Sequence, residues 1–175
     1  ISKVNLKSNI NHEMFKWLKV GANISGNYLH NNRVPGADLG STIIGRAVQQ
    51  RPFDRPYKPN GGYYTGGTDE LLLHNAVQIL SEETSYTDNY RFIGSFWAEA
   101  QIIKGLTVRA SYNNDSAYTY DYIYYNQNHP YAADKGRILD RNRFVMTNTI
   151  DLYANYNRKI GEDFELGAMV GHSFL

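Results

Sequence analysis

Five histidines, His12, His30, His74, His129 and His172, are the obvious candidates for metal or acid–base chemistry, and they are scattered singly along the chain. No two stand at a His-x-x-x-His spacing and there is no cysteine, so the sequence offers no zinc donor set and no thiol nucleophile. Solvated histidines in turns or at an interface are the expectation. Gly171-His172-Ser173 begins like the tight turn that exposes a nucleophilic serine, but Phe174-Leu175 follow where the closing glycine should stand. The acidic pairs Glu82-Glu83 and Glu162-Asp163 fall in a polar loop and a predicted turn, where carboxylates are normally solvated. No Gly-rich phosphate loop or dinucleotide fingerprint is present. Catalysis and cofactors are therefore not expected.

Tyrosine carries the more informative signal. There are 15 Tyr beside 7 Phe and 2 Trp in 175 residues, yet the mean hydropathy is only −0.53. That mixture is too polar for helical membrane spans and too aromatic for a disordered chain. The formal charge of +1 supplies no field for a nucleic acid. Arg51–Tyr64 is rich in Pro, Gly and Tyr, a conformationally set stretch in which Tyr57, Tyr63 and Tyr64 could stack on sugar rings or contact peptide backbone. Its flanks, Ser41–Gln50 and Asp69–Leu80, carry apolar residues at helical spacing (Ile44, Ala47, Val48; Leu72, Ala76, Ile79) that would dock the loop on something.

The elements that must position these residues are strands. Period-two alternation runs through Val4, Leu6 and Ile10; through Leu18, Val20, Ala22, Ile24 and Tyr28; and through Tyr90, Phe92, Phe96, Ala98, Ala100 and Ile102. It returns in Leu106, Val108, Ala110 and Tyr112, in Phe144, Met146, Ile150, Leu152, Ala154 and Tyr156, and in Phe164, Leu166, Ala168 and Val170. The opposite parity holds Arg91, Glu99, Gln101, Arg109 and Asp151, a polar face rich in charge and Asn that suits a wet interior. Apolar runs of this length approach the ~9–11 residues with which a tilted strand crosses a bilayer. Aromatics such as Tyr28, Tyr90, Tyr112, Tyr118, Tyr156 and Phe164 sit near the run ends, where interfacial girdles belong.

Connections alternate in length. They read short (Asn11–Trp17), long (about 32–88), short (Lys104-Gly105), medium (Gln127–Asp140) and short (Gly161–Asp163). In an up-and-down sheet every short turn then falls at one end and every longer loop at the other, as in outer-membrane barrels. Strands one, three and five would run inward, and two, four and six outward. Strand four continues through Tyr118, Tyr120, Tyr122, Tyr124 and Tyr125, so its upper tyrosines should project beyond the membrane and share in ligand contact. Six strands cannot close a barrel, and an open edge in lipid leaves backbone groups unpaired. The expectation is all-β: about six antiparallel strands, residues 1–175, forming part of a large transmembrane barrel. One long extracellular loop carries short helices. The start at Ile1, without Met or signal peptide, and Phe174 in the penultimate place both suggest a piece of a longer polypeptide.

Several segments carry a family resemblance. Trp17-Leu18-Lys19-Val20-Gly21-Ala22-Asn23-Ile24-Ser25 after an Asn-rich strand, Arg51–Tyr64 with Pro52, Pro56, Tyr57, Pro59 and Gly61 in succession, and His74-Asn75 opening a helix are three of them. Ile103-Lys104-Gly105-Leu106-Thr107 and the closing Tyr-rich hairpin complete the succession. Together they resemble the barrel of SusC/RagA-type TonB-dependent outer-membrane transporters, with Ala76 standing where Pro is usual and Asn60-Gly61 replacing Asp-Gly. The resemblance implies a plugged 22-stranded barrel in the outer membrane of a Gram-negative bacterium. A SusD-like surface lipoprotein would cap it and TonB would drive it, importing oligosaccharides or, next, peptides. Two other classes stay open at this point: an outer-membrane barrel enzyme, and a soluble all-β carbohydrate-binding module.

Overall fold

A computed structural model describes residues 1–34, 43–49, 55–64, 75–130, 132, 135–160 and 164–175. Its six strands are β1 (Ser2–Phe15), β2 (Leu18–Asn32), β3 (Glu83–Ile103), β4 (Leu106–Tyr125), β5 (Arg137–Ile160) and β6 (Phe164–Phe174). Two short helices, α1 (Ile43–Gln49) and α2 (Ala76–Glu82), lie between β2 and β3. The strands form one open antiparallel sheet in sequence order, β1 to β6. This is the up-and-down arrangement that the alternating connections predict. Contacts group the residues into two compact units. A loop unit takes Ile1–Ser2, His30–Asp88 and Tyr120–Asn142, and a wall unit takes Lys3–Leu29, Asn89–Thr119 and Arg143–Leu175.

The wall unit obeys the predicted parity. In β5 and β6, Ile150 pairs with Phe174, Leu152 with His172, Ala154 with Val170 and Tyr156 with Ala168, putting apolar side chains on one face. Asp151 pairs with Ser173 on the other. The apolar face is uncovered: Val4 is 64% exposed, Leu6 73%, Phe164 74% and Val170 71%. Among the described residues the buried hydrophobics are Ala76, Ile79 and Ala132, all in the loop unit, so no second layer packs on the wall. A soluble sheet would turn this face onto another sheet or a helix.

Strand lengths depart from the sequence expectation. β1 continues through His12, Met14 and Phe15, because the backbone keeps its parity where the polarity pattern lapses. The turn after it is only Lys16-Trp17, with Phe15 and Trp17 stacked at 5.7 Å. The long connection shortens to residues 33–82, and β5 begins at Arg137 rather than after Asp140. β3, β4 and β5 have 21, 20 and 24 residues, about twice the ~9–11 that a membrane crossing needs. The Gly161–Asp163 turn, with its acidic pair, lies outside the described residues, as do His74 and Leu72.

The β3–β4 turn sits where the sequence places it. Gly105 takes φ +93°, a left-handed conformation that side chains resist, and its carbonyl accepts from Asn157 N–H at 2.8 Å. A Cβ there would approach the Asn157 carbonyl oxygen to 2.5 Å. Gly105→Ala should therefore lower stability by about 1–2 kcal/mol or more, read as a fall in the denaturant midpoint.

Candidate functional site

The polar face of the wall unit is built from side chains that answer one another across strands. Arg91 on β3 makes a two-pronged contact with Asp115 on β4, at 2.9 and 2.6 Å. Ser95 donates to Asn113 at 2.7 Å, and Asn89 to Thr119 at 2.8 Å. Asp151 on β5 gathers three donors: Ser173 at 2.5 Å, Asn113 at 2.8 Å and Ser111 at 3.3 Å. Arg109 lies 3.7 Å from Glu99 and places its guanidinium 4.3 Å above the Trp97 ring. The indole in turn covers Gly21, where a Cβ would stand 2.5 Å from its ring atoms. Only a glycine admits the indole here, which explains the glycine in the Val20-Gly21-Ala22 stretch.

Five of the sequence-predicted residues thus share one face. Four of them, Arg91, Glu99, Arg109 and Asp151, are held in cross-strand contacts; Gln101 is exposed and its backbone N–H donates to the Trp17 carbonyl at 2.7 Å.

The loop unit has its own internal frame. Asn75 is 3% exposed and caps α2: its side-chain oxygen accepts from Val77 and Gln78 N–H, at 2.9 and 3.4 Å. Its amide nitrogen donates to the carbonyls of Pro56 and Tyr64, at 2.6 and 3.0 Å. One side chain therefore starts the helix and pins both ends of the Pro/Gly/Tyr loop. Ala76 occupies the first helical position, where proline is also well tolerated. Tyr57 and Tyr63 bridge as a small hairpin with rings 5.6 Å apart, while Tyr57 and Tyr64 stay 52% and 40% exposed. On α1, Ile44 and Val48 are 70% and 80% exposed, so the stripe expected to dock is uncovered.

Two sequence expectations change here. Glu83 is not a solvated loop carboxylate: it opens β3 with a side chain 5% exposed, 3.8 Å from a fully buried His129. Burial pushes the Glu83 carboxyl up, against the lowering effect of Arg33. His129 also lies against the Tyr125 ring at 4.5 Å, and Gln78 donates to the Asn128 carbonyl at 2.9 Å, so the β4–β5 loop is tied to α2. No periodic signal marks this node, because Glu83 and Tyr125 lie at strand ends and His129 in a turn.

The upper tyrosines form a ladder on the loop unit. Tyr86 packs 5.1 Å from Tyr122, 6.1 Å from Tyr120 and 5.5 Å from His30. Tyr120 O–H donates to Asp140 at 3.2 Å. Partial burial, followed by that carboxylate, pushes the Tyr120 phenol up to about 12. Tyr120, Tyr122 and Tyr124 have the parity of Ala110 and Tyr112, whereas Asp121 between them turns the other way to meet Thr87 at 2.5 Å and Arg33 at 3.3 Å. Within the loop unit they therefore stand on the opposite side of β4 from Asp121, with the Tyr86 ladder. His30 faces oxygens at both ring nitrogens, Asp88 at 2.7 Å and Asn32 at 2.9 Å. An imidazole donating to both is the charged form.

Against known proteins, no family model matches the chain and no curated protein does. Solved structures do match. The chain is similar to the RagAB peptide transporter, 22% identical over 98% of this chain with a TM-score of 0.76. It is similar to the RagAB peptide importer in its closed-closed and open-open states, 21% identical each over 98% of this chain, with TM-scores of 0.75 and 0.74. The likeness is one of fold: six antiparallel strands in one open sheet, matching a barrel segment of those structures. The chain spans about a fifth of the length of those structures, covering 20%, 20% and 19% of them.

Two outcomes follow from this geometry. Asn75→Ala should remove the α2 cap and leave two loop carbonyls without their donor. The cap alone is worth about 0.5–2 kcal/mol, so amide exchange should quicken across residues 56–64 and 76–82. The His30 pKa is raised from 6.5, first by the Asp88 hydrogen bond. Its contribution is then full below 6.5 and is lost as pH rises through the higher folded value. Asp88→Asn should bring the imidazole titration, followed by NMR, back toward 6.5.

Proposed function

We propose that this chain is a stretch of the wall of an outer-membrane importer. The importer takes up peptides or oligosaccharides with a SusD-like lipoprotein over its extracellular mouth and TonB acting from the periplasm. One observation carries the reading: a single-layer sheet keeps one face apolar and uncovered while the other is a network of ion pairs and hydrogen bonds. Hydrocarbon outside and water inside is the environment in which both faces are satisfied. The same sheet is similar to RagAB structures over 98% of its length. Peptide takes precedence over sugar here because those neighbours are described as peptide importers.

In this reading the Lys16-Trp17 and Lys104-Gly105 turns are periplasmic and the loop unit is extracellular. Arg91, Glu99, Gln101, Arg109 and Asp151 line the lumen. Arg91 and Asp151 spend their side-chain hydrogen bonds within the wall, and Arg109 is paired with Glu99, which suits an interior surface against the plug better than a tight substrate site. Tyr57, Tyr64 and the uncovered Ile44 and Val48 suit the contact with lipoprotein or substrate. Tyr120, Tyr122 and Tyr124 look outward, above the hydrocarbon. No covalent step is needed: selective passage rests on a closed apolar exterior and gated access.

Deleting residues 51–64 should leave the barrel in the outer membrane but reduce proton-gradient-dependent uptake of labelled peptide, or co-purification of the lipoprotein. Wild-type values for both would remove that loop from the mechanism. Arg at Ala98 or Leu152 should cost about 2–4 kcal/mol of stability in a bilayer, because both positions are assigned to mid-membrane lipid. Unfolding midpoints in vesicles check this.

A further inference from the structure

The loop unit segregates charge between the two faces of its strands. On the outward parity stand His30, Asp88 and Asp140 with the tyrosine ladder. On the inward parity stand Arg33, Glu83, Thr87, Asp121, Arg137 and Arg141. Both inward carboxylates are already engaged. Glu83 is closed in beside His129, and Asp121 is taken by Arg33 and Thr87. Arg137 and Arg141 are exposed on β5, four residues apart and so about 13 Å along one face, with no carboxylate partner among the described residues. Arginines kept only for solubility would have no reason to favour the inward parity, whereas the outward one carries His30 between two oxygens and two aspartates.

We propose that Arg137 and Arg141 form a cationic rung inside the extracellular mouth that selects substrates bearing carboxylates. Guanidinium pairs carboxylate in a planar two-pronged geometry, and the 13 Å spacing suits two carboxylates along an extended ligand rather than one. The chemistry is shared by acidic peptides and by uronic-acid oligosaccharides. This rests on the importer reading and adds its substrate class. Binding here is a screened, entrance-level interaction, so it acts on capture more than on later steps and weakens with salt.

The test uses the intact transporter with its lipoprotein in cells, comparing uptake of matched peptides that differ only in Asp/Glu against Asn/Gln. A second pair compares a uronic-acid oligosaccharide with its neutral counterpart. In the Arg137→Gln/Arg141→Gln double variant the acidic-to-neutral uptake ratio should fall roughly tenfold or more, through KM. Arg137→Lys/Arg141→Lys should restore part of the ratio, and 0.5 M salt should narrow the wild-type preference. Whichever pair shows the loss identifies the source of the carboxylate. Equal loss of acidic and neutral uptake together with loss of the co-purifying lipoprotein would make the arginines a docking contact and overturn the proposal. An unchanged ratio, with the double variant at normal surface level, would overturn it as well. Absence of energised uptake of every substrate by the wild type would instead remove the importer reading itself, and this inference with it.

Discussion

The constraint on which the rest depends is that every strand of this sheet carries apolar side chains on one face and polar ones on the other, the division that hydrocarbon on one side and water on the other would demand. Backbone hydrogen bonds are met between strands, so what remains is side-chain parity, and parity is kept with few exceptions from Val4 to Val170. Three of the exceptions are paired with one another. Asn114 and Tyr112, on the apolar parity, both donate to Asn148, at 2.7 and 2.8 Å, so the polar groups on that face answer each other across β4 and β5. Without hydrocarbon the uncovered Val, Leu, Ile and Phe side chains would be an aggregation surface. In the proposed membrane setting they are the outer skin of a wall.

The inner face shows how such a wall is held in register. A one-residue slip would carry Asp151 and Arg91 to the apolar side, a cost far above that of any single hydrogen bond. The two-pronged Arg91–Asp115 contact and the three donors on Asp151 therefore do as much to specify pairing as to stabilise it. The Gly21–Trp97–Arg109 stack adds shape to charge: it needs a missing side chain on β2, an indole on β3 and a guanidinium on β4 at one level.

Much of this was legible in the residues. Alternation located all six strands, Lys104-Gly105 located a turn, and the helical spacing of Ile44, Ala47 and Val48 and of Ala76 and Ile79 located α1 and α2. Parity also put Arg91, Glu99, Arg109 and Asp151 on one face. What escaped was set by tertiary geometry. Asn11–Lys16 reads as a break because His12 puts a polar side chain on the apolar parity and Phe15 an apolar one on the polar parity, yet neighbouring strand β2 continues the ladder. At the start of β5, Leu139 and Asp140 reverse the alternation in the same way, so Arg137 reads as loop. His129 and Glu83 lie 46 residues apart at the ends of different elements, and only the folded loops bring them within 3.8 Å. The reach of the upper tyrosines was visible, but their outward direction required following parity past the membrane-sized part of β4.

The most direct measurement uses the absence of native cysteine. Single cysteines placed in turn at Gln101, Ala100, Ser111, Ala110, Asp151 and Leu152 of the membrane-embedded protein can be challenged with a charged maleimide from water and with a lipid-phase reagent. The account predicts strict alternation: 101, 111 and 151 react from water, whereas 100, 110 and 152 are protected from it and react from the lipid phase. Labelling of both parities from water, or protection of both, would contradict a wall with hydrocarbon on one side and an aqueous interior on the other.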